Sequence, residues 1–176
     1  MEIITTHKST DFDALASVIA GTLIYPGAVP LLPKTINPNV KAFLSIHKDL
    51  FDIRDIKAVN MEEVSRLIVV DTNSWERVDF SSEQKKNMNG LKTVLWDHHP
   101  KGDIKADWTC QEEIGANITL MLREIKNNNI ELTPIHATLF LAGLYEDTGG
   151  LSFPSTTADK GILVSTVRLL PPASSR

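Results

Sequence analysis

Four apolar residues in a row, Leu67-Ile68-Val69-Val70, stop on an acid, Asp71. Both faces of such a segment are apolar, so it suits a strand covered on both sides, as in a parallel sheet. The pattern recurs. A short strand over residues 2–6, carrying Ile3 and Ile4, runs into His7-Lys8-Ser9-Thr10-Asp11-Phe12-Asp13. Thr93-Val94-Leu95-Trp96 ends in Asp97-His98-His99-Pro100. Open parallel sheets gather their ligands beyond the carboxyl ends of the strands. Acids and histidines remote in sequence are therefore expected to meet along one edge.

Between these runs the spacing turns helical. After Asp13, the residues Leu15, Val18, Ile19, Thr22 and Leu23 share one face, with Asp11 or Asp13 as cap and Pro26-Gly27 as stop. Ala28 to Leu32 reads as a second strand, ended by Pro33. Asn37-Pro38 opens a helix carrying Val40, Phe43, Leu44 and His47. Residues 49–59 read either way, and residues 82–90 read as a loop with a short helix. Ile114, Ile118, Met121, Leu122 and Ile125 mark an amphipathic helix that ends at Asn127-Asn128-Asn129. Thr133-Pro134 opens an apolar helix through Tyr145, which runs out at Glu146-Asp147-Thr148-Gly149-Gly150. A last helical pattern covers residues 156–170, and Pro171-Pro172-Ala173-Ser174-Ser175 has the composition of a tail. This alternation predicts an α/β fold, a mainly parallel sheet flanked by helices. The 176 residues suffice for one domain with a substantial core.

The net charge of -4 gives no overall basic footprint for nucleic acid. Two divalent cations would add about four positive charges, so acidity does not exclude a phosphate-bearing substrate. The single cysteine, Cys110, has no internal disulfide partner and fits a reducing compartment. No apolar run reaches the roughly 18 residues of a membrane span. No basic segment precedes an apolar one at the N-terminus. The expectation is a cytoplasmic protein without a membrane partner.

The candidate chemistry rests on His7, Asp11, Asp13, Asp71, Asp97, His98, His99 and Asp147. Singly, each has an ordinary reading. Asp11 or Asp13 caps a helix, Asp71 ends a strand, Asp147 ends a helix, and Asp97-His98-His99 makes a polar turn. Two adjacent histidines beside an acid after a buried strand are nonetheless uncommon. Together, these carboxylates would repel one another in one cleft, and some would have to take up protons at neutral pH. Two divalent metals remove that difficulty. Carboxylate and imidazole without thiolate suit Mn²⁺, Mg²⁺, Co²⁺ or Fe²⁺ better than structural zinc. Such a pair, bridged by a carboxylate and a hydroxide, hydrolyses phosphate esters in many enzymes. Elsewhere the ordinary readings stand. His47, His136 and Cys110 read as packed, and Trp96 and Phe12 as core. Trp75 and Trp108 could also stack on bases. Ser9, Thr10 and Ser17 either support ligands or cap the helix.

His7-x3-Asp11-x-Asp13-x3-Ser17, Asp71, Asp97-His98-His99 and Asp147, in that order over residues 1 to about 160, resemble the four motifs of the DHH phosphoesterase superfamily. Its members include family II pyrophosphatases, exopolyphosphatases, RecJ-type exonucleases, and oligoribonucleases that also act on phosphoadenosine phosphate. The wording from Thr6 to Ser17, with Leu23-Ile24-Tyr25-Pro26 and Asn37-Pro38-Asn39-Val40, looks closer to one branch. There a DHH domain begins a long bacterial protein that continues into CBS domains and a tRNA nucleotidyltransferase or poly(A) polymerase domain.

The resemblance implies a Rossmann-like domain and two cations, Mn²⁺ or Mg²⁺. It implies that His7 and Asp11 bind the first, that Asp13, His98 and Asp147 bind the second, and that Asp71 bridges them. It implies that His99 contacts the phosphate or the departing group, with Asp97 orienting a histidine from behind. Catalysis would then fall to Asp71, His98 and His99. The substrate implied is a phosphate ester, nucleotide or RNA. Active members also carry a second domain with a glycine-rich motif and basic residues that grip the substrate. No such segment occurs here, so residues 1–170 are expected to be the DHH domain, 171–176 a tail, and further domains to belong to a longer parent chain. Lys8, Lys34 and Lys101 are the cations near the motifs and receive no role. Two alternatives stay open: an inorganic pyrophosphatase or exopolyphosphatase, and a non-catalytic metal-binding regulatory domain of a larger RNA-processing protein. The oligomeric state stays open too.

Overall fold

A computed structural model describes residues 1–86, 88, 90–100, 102–153 and 159–162. The expected helical pattern over residues 156–170 is described only at 159–162, which are helical. The rest of it, the tail at 171–176 and Lys101 lie outside the described residues. The strands are β1 (Glu2–Thr5), β2 (Ala28–Leu32), β3 (Arg54–Asp55), β4 (Arg66–Val70), β5 (Lys92–Asp97) and β6 (Trp108–Gln111). The helices are α1 (Phe12–Ile24), α2 (Pro38–His47), α3 (Ser82–Lys86), α4 (Asn117–Asn127) and α5 (Pro134–Asp147). All strand pairs are parallel, in the order β3-β2-β1-β4-β5-β6. The order reverses between β1 and β4, where Ile3 lies beside Leu67 and Thr5 beside Val69. In open α/β sheets that reversal opens a crevice at the strands' carboxyl ends. The expected α/β sheet is the fold observed.

Leu67, Ile68, Val69 and Val70 are fully buried, as a strand covered on both faces requires. Alternate residues serve different layers. Ile4, Ile68, Val70, Val94 and Trp96 pack with Leu15, Val18 and Ile19 of α1, Met121 and Leu122 of α4, and Phe140 and Leu144 of α5. Ile3, Leu67, Val69 and Leu95 face the other way, onto Ile56, Met61, Val64, Val78 and Phe80. Short 3₁₀ turns at Ile56–Ala58 and Met61–Glu63 carry part of that second cover.

Several local readings need adjustment. Strand β6 carries no sequence signal, because it is an edge strand with three of its four residues exposed. Cys110 sits on it and is half-buried rather than buried. Trp108 is 48% exposed and leans on buried Trp96, ring centroids 4.9 Å apart. Helix α4 begins at Asn117, so Ile114 packs from the preceding turn. Phe12 packs edge-on against Phe43 at 5.8 Å, and Phe43 also meets His47 at 4.7 Å. His136 stacks on Phe140 at 5.9 Å, and burial lowers its pKa.

Helices α1 and α5 approach closely because position 143 is glycine. A β-carbon there would lie 2.9 Å from the Phe12 carbonyl oxygen and 3.0 Å from both Asp13 Cα and Ala16 Cβ. Two of these three neighbours are backbone and cannot swing away. Gly143→Ala is therefore expected to destabilise the protein by about 1–3 kcal/mol through overpacking, although alanine is the better helix former by about 0.5–1 kcal/mol. Thermal unfolding reads the result, and an unchanged or higher Tm contradicts it.

Candidate metal centre

Each candidate ligand is held by a local device. His7 leaves β1 and forms an antiparallel bridge with Val78, while Lys8 N–H donates to Arg77 O at 2.7 Å. The Thr10 hydroxyl donates to His7 O at 2.9 Å. Ser9 takes a left-handed backbone, φ 62°, and its N–H reaches Thr35 O. Asp11 is the cap of α1 and accepts from Ala14 N–H at 3.0 Å, so its ordinary reading also holds. Asp71 follows β4 with φ 56°, rare for a side chain other than glycine. Its N–H continues the ladder to Trp96 O at 2.8 Å, and a strained turn of this kind concentrates at functional sites.

The geometry converges on the Asp71 carboxylate, which is 2% exposed. Its Oδ2 lies 3.2 Å from His7 Nε2, and its Oδ1 lies 3.2 Å from His98 Nε2. Asp11 Oδ2 stands 3.7 Å from His7 Nε2, and Asp147 Oδ2 stands 3.7 Å from His98 Nε2. Ligand atoms of His7, Asp11 and Asp71 fall within 4.8 Å of one another, as do those of Asp13, His98 and Asp147, and those of Asp71, His98 and His99. All eight candidates thus lie in or beside one cluster, Asp97 through its contact with His99.

Two observations fit a divalent cation. His7 and His98 both direct Nδ1 at a backbone carbonyl, Lys8 O at 2.8 Å and Ile114 O at 3.0 Å. With Nδ1 donating to a carbonyl, loss of the Nε2 proton would leave a lone pair towards the carboxylates, the arrangement that orients ligating histidines. In addition, Asp71 Oδ1 and His98 Nε2 are buried without a well-aligned hydrogen bond. Orphaned polar atoms of this kind are costly unless something satisfies them.

The electrostatics agree. Burial raises the pKa of Asp13 well above the carboxylate range, and Asp71 and Asp147 add to the effect. Burial likewise pushes Asp147 up to about 7, with help from Asp71 and Asp11. Burial would lower His98, but Asp71 and Asp13 outweigh it and raise the imidazole to about 10. Burial would raise Asp71, but His7 and His98 hold it at about 2. His7 is raised despite burial, chiefly by Asp71. The side chains by themselves retain protons to offset crowded negative charge, which is the strain that cations relieve.

Supporting residues complete the picture. Asp97 is fully buried and accepts from His99 Nδ1 at 2.8 Å and from His99 N–H at 3.2 Å. The His99 carbonyl accepts from Asn73 Nδ2 at 3.1 Å and from Gln111 Nε2. Glu146 Oε2 accepts from Phe12 N–H at 2.6 Å, tying the end of α5 to the start of α1. Asp13, with no exposed surface, accepts from Asn117 N–H at 2.6 Å and Ile118 N–H at 2.8 Å. Ser17 Oγ accepts from Asn117 Nδ2 at 2.9 Å. Asn73, Glu146 and Asn117 act through contacts made only in three dimensions, and no local sequence signal marks them. A surface hollow lined by Trp75, Lys85, Thr93 and Asp107 lies at the other end of β5 and shares no residue with the cluster.

A parallel sheet with this cluster at its reversal point defines an α/β domain with a candidate metal centre. The chain belongs to the DHH family, whose N-terminal domain matches residues 2–144. It is 32% identical over 162 residues to an A-adding tRNA nucleotidyltransferase of Geobacter sulfurreducens, covering 90% of this chain and 18% of that protein. It is 31% identical over 161 residues to the bifunctional oligoribonuclease and PAP phosphatase NrnA of Bacillus subtilis, covering 88% of this chain and 48% of that one. The fold matches an exopolyphosphatase-related protein from Bacteroides fragilis with a TM-score of 0.75 at 19% identity, over 94% of this chain and 51% of the other. The chain thus spans under a fifth to about half of these relatives. Among the described residues no helix is long and apolar enough to cross a membrane.

Proposed function

We propose that this chain is a metal-dependent phosphoesterase domain that hydrolyses phosphodiester or phosphoanhydride bonds at a two-cation site, with RNA or a nucleotide as substrate. The observation that carries the reading is the buried Asp71 carboxylate, with one oxygen 3.2 Å from His7 and the other 3.2 Å from His98. His7 and Asp11 would complete one cation's ligands, and Asp13, His98 and Asp147 the other's. Bound there, Mn²⁺ or Mg²⁺ would acidify a water and neutralise charge developing on phosphorus. His99 would be the group that meets the substrate. Asp97 fixes its Nδ1, and the ring is 38% exposed, free to meet a phosphate oxygen or protonate the departing group. The RNA link is supported by the names of the relatives, a tRNA nucleotidyltransferase and an oligoribonuclease.

The test is hydrolysis of bis-p-nitrophenyl phosphate, a short oligoribonucleotide and pyrophosphate, each with Mn²⁺, with Mg²⁺ and with chelator. Cation-dependent cleavage of the diesters is expected. His99→Ala should lower kcat by about 10²-fold or more while both cations still bind. Cleavage of pyrophosphate alone would shift the reading to a phosphoanhydride hydrolase. Cation binding without turnover on any substrate would leave a regulatory metal domain.

A further inference from the structure

Helix α4 starts without a cap of its own, since the residue before it is Ala116, which offers no side-chain acceptor. The first amides of a helix need partners. Here two of them are met by one buried carboxylate supplied from elsewhere in the chain, Asp13, while a second, Asp159, braces the turn that leads in. Asp13 takes Asn117 N–H and Ile118 N–H. On the other side of the same turn, Asp159 accepts from Gly115 N–H at 3.1 Å through Oδ2 and from the Thr119 hydroxyl at 2.5 Å through Oδ1. Asp159 has no exposed surface.

This turn holds two members of one ligand cluster and packs beside the residue that follows the third. The carbonyl of Ile114 fixes His98 Nδ1. The amides of Asn117 and Ile118 fix Asp13. Gly115 packs against the corner that follows Asp147: a β-carbon on Gly115 would lie 2.9 Å from Thr148 Cγ2 and 2.5 Å from Asp159 Oδ2. The His7 and Asp11 side touches none of this; it is held by Val78, Arg77, Thr10 and Ala14.

We infer that Asp159 is a positioning residue for the second cation, the one assigned to Asp13, His98 and Asp147. This rests on the two-cation reading above. By clamping Gly115 and Thr119, it fixes the turn that sets both the His98 ring and the Asp13 carboxylate, and it reaches the first cluster only at second hand, through Asp71 and helix α1. Groups bonded directly to a ligand typically govern metal affinity by about 10–100-fold, and Asp159 acts one step further back, so the lower end of that range applies.

The full chain is stripped with chelator and titrated with Mn²⁺, followed by calorimetry for stoichiometry and by electron paramagnetic resonance for spin coupling between paired ions. Wild type is expected to bind two ions and show a coupled spectrum. Asp159→Asn keeps the shape but removes the charge and leaves one acceptor oxygen for two donors, the Gly115 N–H and the Thr119 hydroxyl. It is expected to weaken one ion by about 10-fold, leave the other unchanged, and give an uncoupled spectrum at concentrations where wild type is coupled. Thr119→Val, which removes a single hydroxyl, should shift the same site less. Thr119→Ser should restore wild-type binding. Two ions bound as tightly as in wild type by Asp159→Asn, or by Thr119→Val if the first variant does not fold, overturn the inference even if the Tm has fallen. An equal loss of both ions overturns it as well. Fewer than two ions in wild type defeats the two-cation reading itself.

Discussion

Asp71→Asn is expected to give a folded protein that no longer holds a pair of cations and loses cation-dependent phosphodiester hydrolysis by about 10³-fold or more. The substitution is chosen for what it preserves. Asparagine has the size of aspartate and tolerates the left-handed backbone at φ 56°, where alanine or a branched residue would be strained. It removes the anion and replaces one oxygen with a donor. One oxygen of Asp71 faces His7 and the other faces His98, so an amide can serve one side at most. The loss should exceed that in Asp11→Asn, since Asp11 is partly exposed and belongs to one cluster alone. Mn²⁺ titration and kcat/KM on bis-p-nitrophenyl phosphate check both halves. Two tightly bound ions in Asp71→Asn contradict the bridging assignment.

The reason Asp71 was legible from the chain is the reason the fold was. An apolar run that needs cover on both faces must be an interior strand, and the residue that ends it sits at the sheet's carboxyl edge. That argument placed His7, Asp71 and His98 together before any distance was known. It says nothing of partners that arise from packing. Asp13 reads as a plausible cap for its own helix, yet Asp11 does that work and Asp13 crosses to the start of α4, 104 residues away. A capping rule that looks three residues ahead cannot find an acceptor at that separation. Asp159 is hidden for the same reason, as is the Glu146 contact to Phe12 N–H. Strand β6 escaped because an edge strand faces solvent and need not be apolar.

Cation affinity is expected to rise steeply with pH, with a slope that changes near pH 7 and disappears near pH 10. The sign follows from which state holds the protons. After chelation His98 keeps its proton up to about pH 10, and Asp147 keeps its own up to about pH 7. A ligating imidazole and carboxylate must both be deprotonated. Binding therefore expels protons, and each one expelled contributes about tenfold in Kd per pH unit. Below about pH 7 two groups give theirs up and Kd should fall by up to about 100-fold per unit, with Asp13, also raised, steepening the slope. Above about 7 Asp147 has no proton left to give and the slope drops, with His98 contributing up to about pH 10. Asp71 adds nothing in this range, because its two histidines already hold it at about 2. Calorimetry of Mn²⁺ binding in buffers of different ionisation enthalpy counts the protons directly. Asp147→Asn should remove the break near pH 7 and leave the upper limb intact. An affinity that stays flat from about pH 6 to 9 would show that His98 carries no proton to lose. In that case the imidazole would be neutral and open for a cation even beside the Asp71 carboxylate.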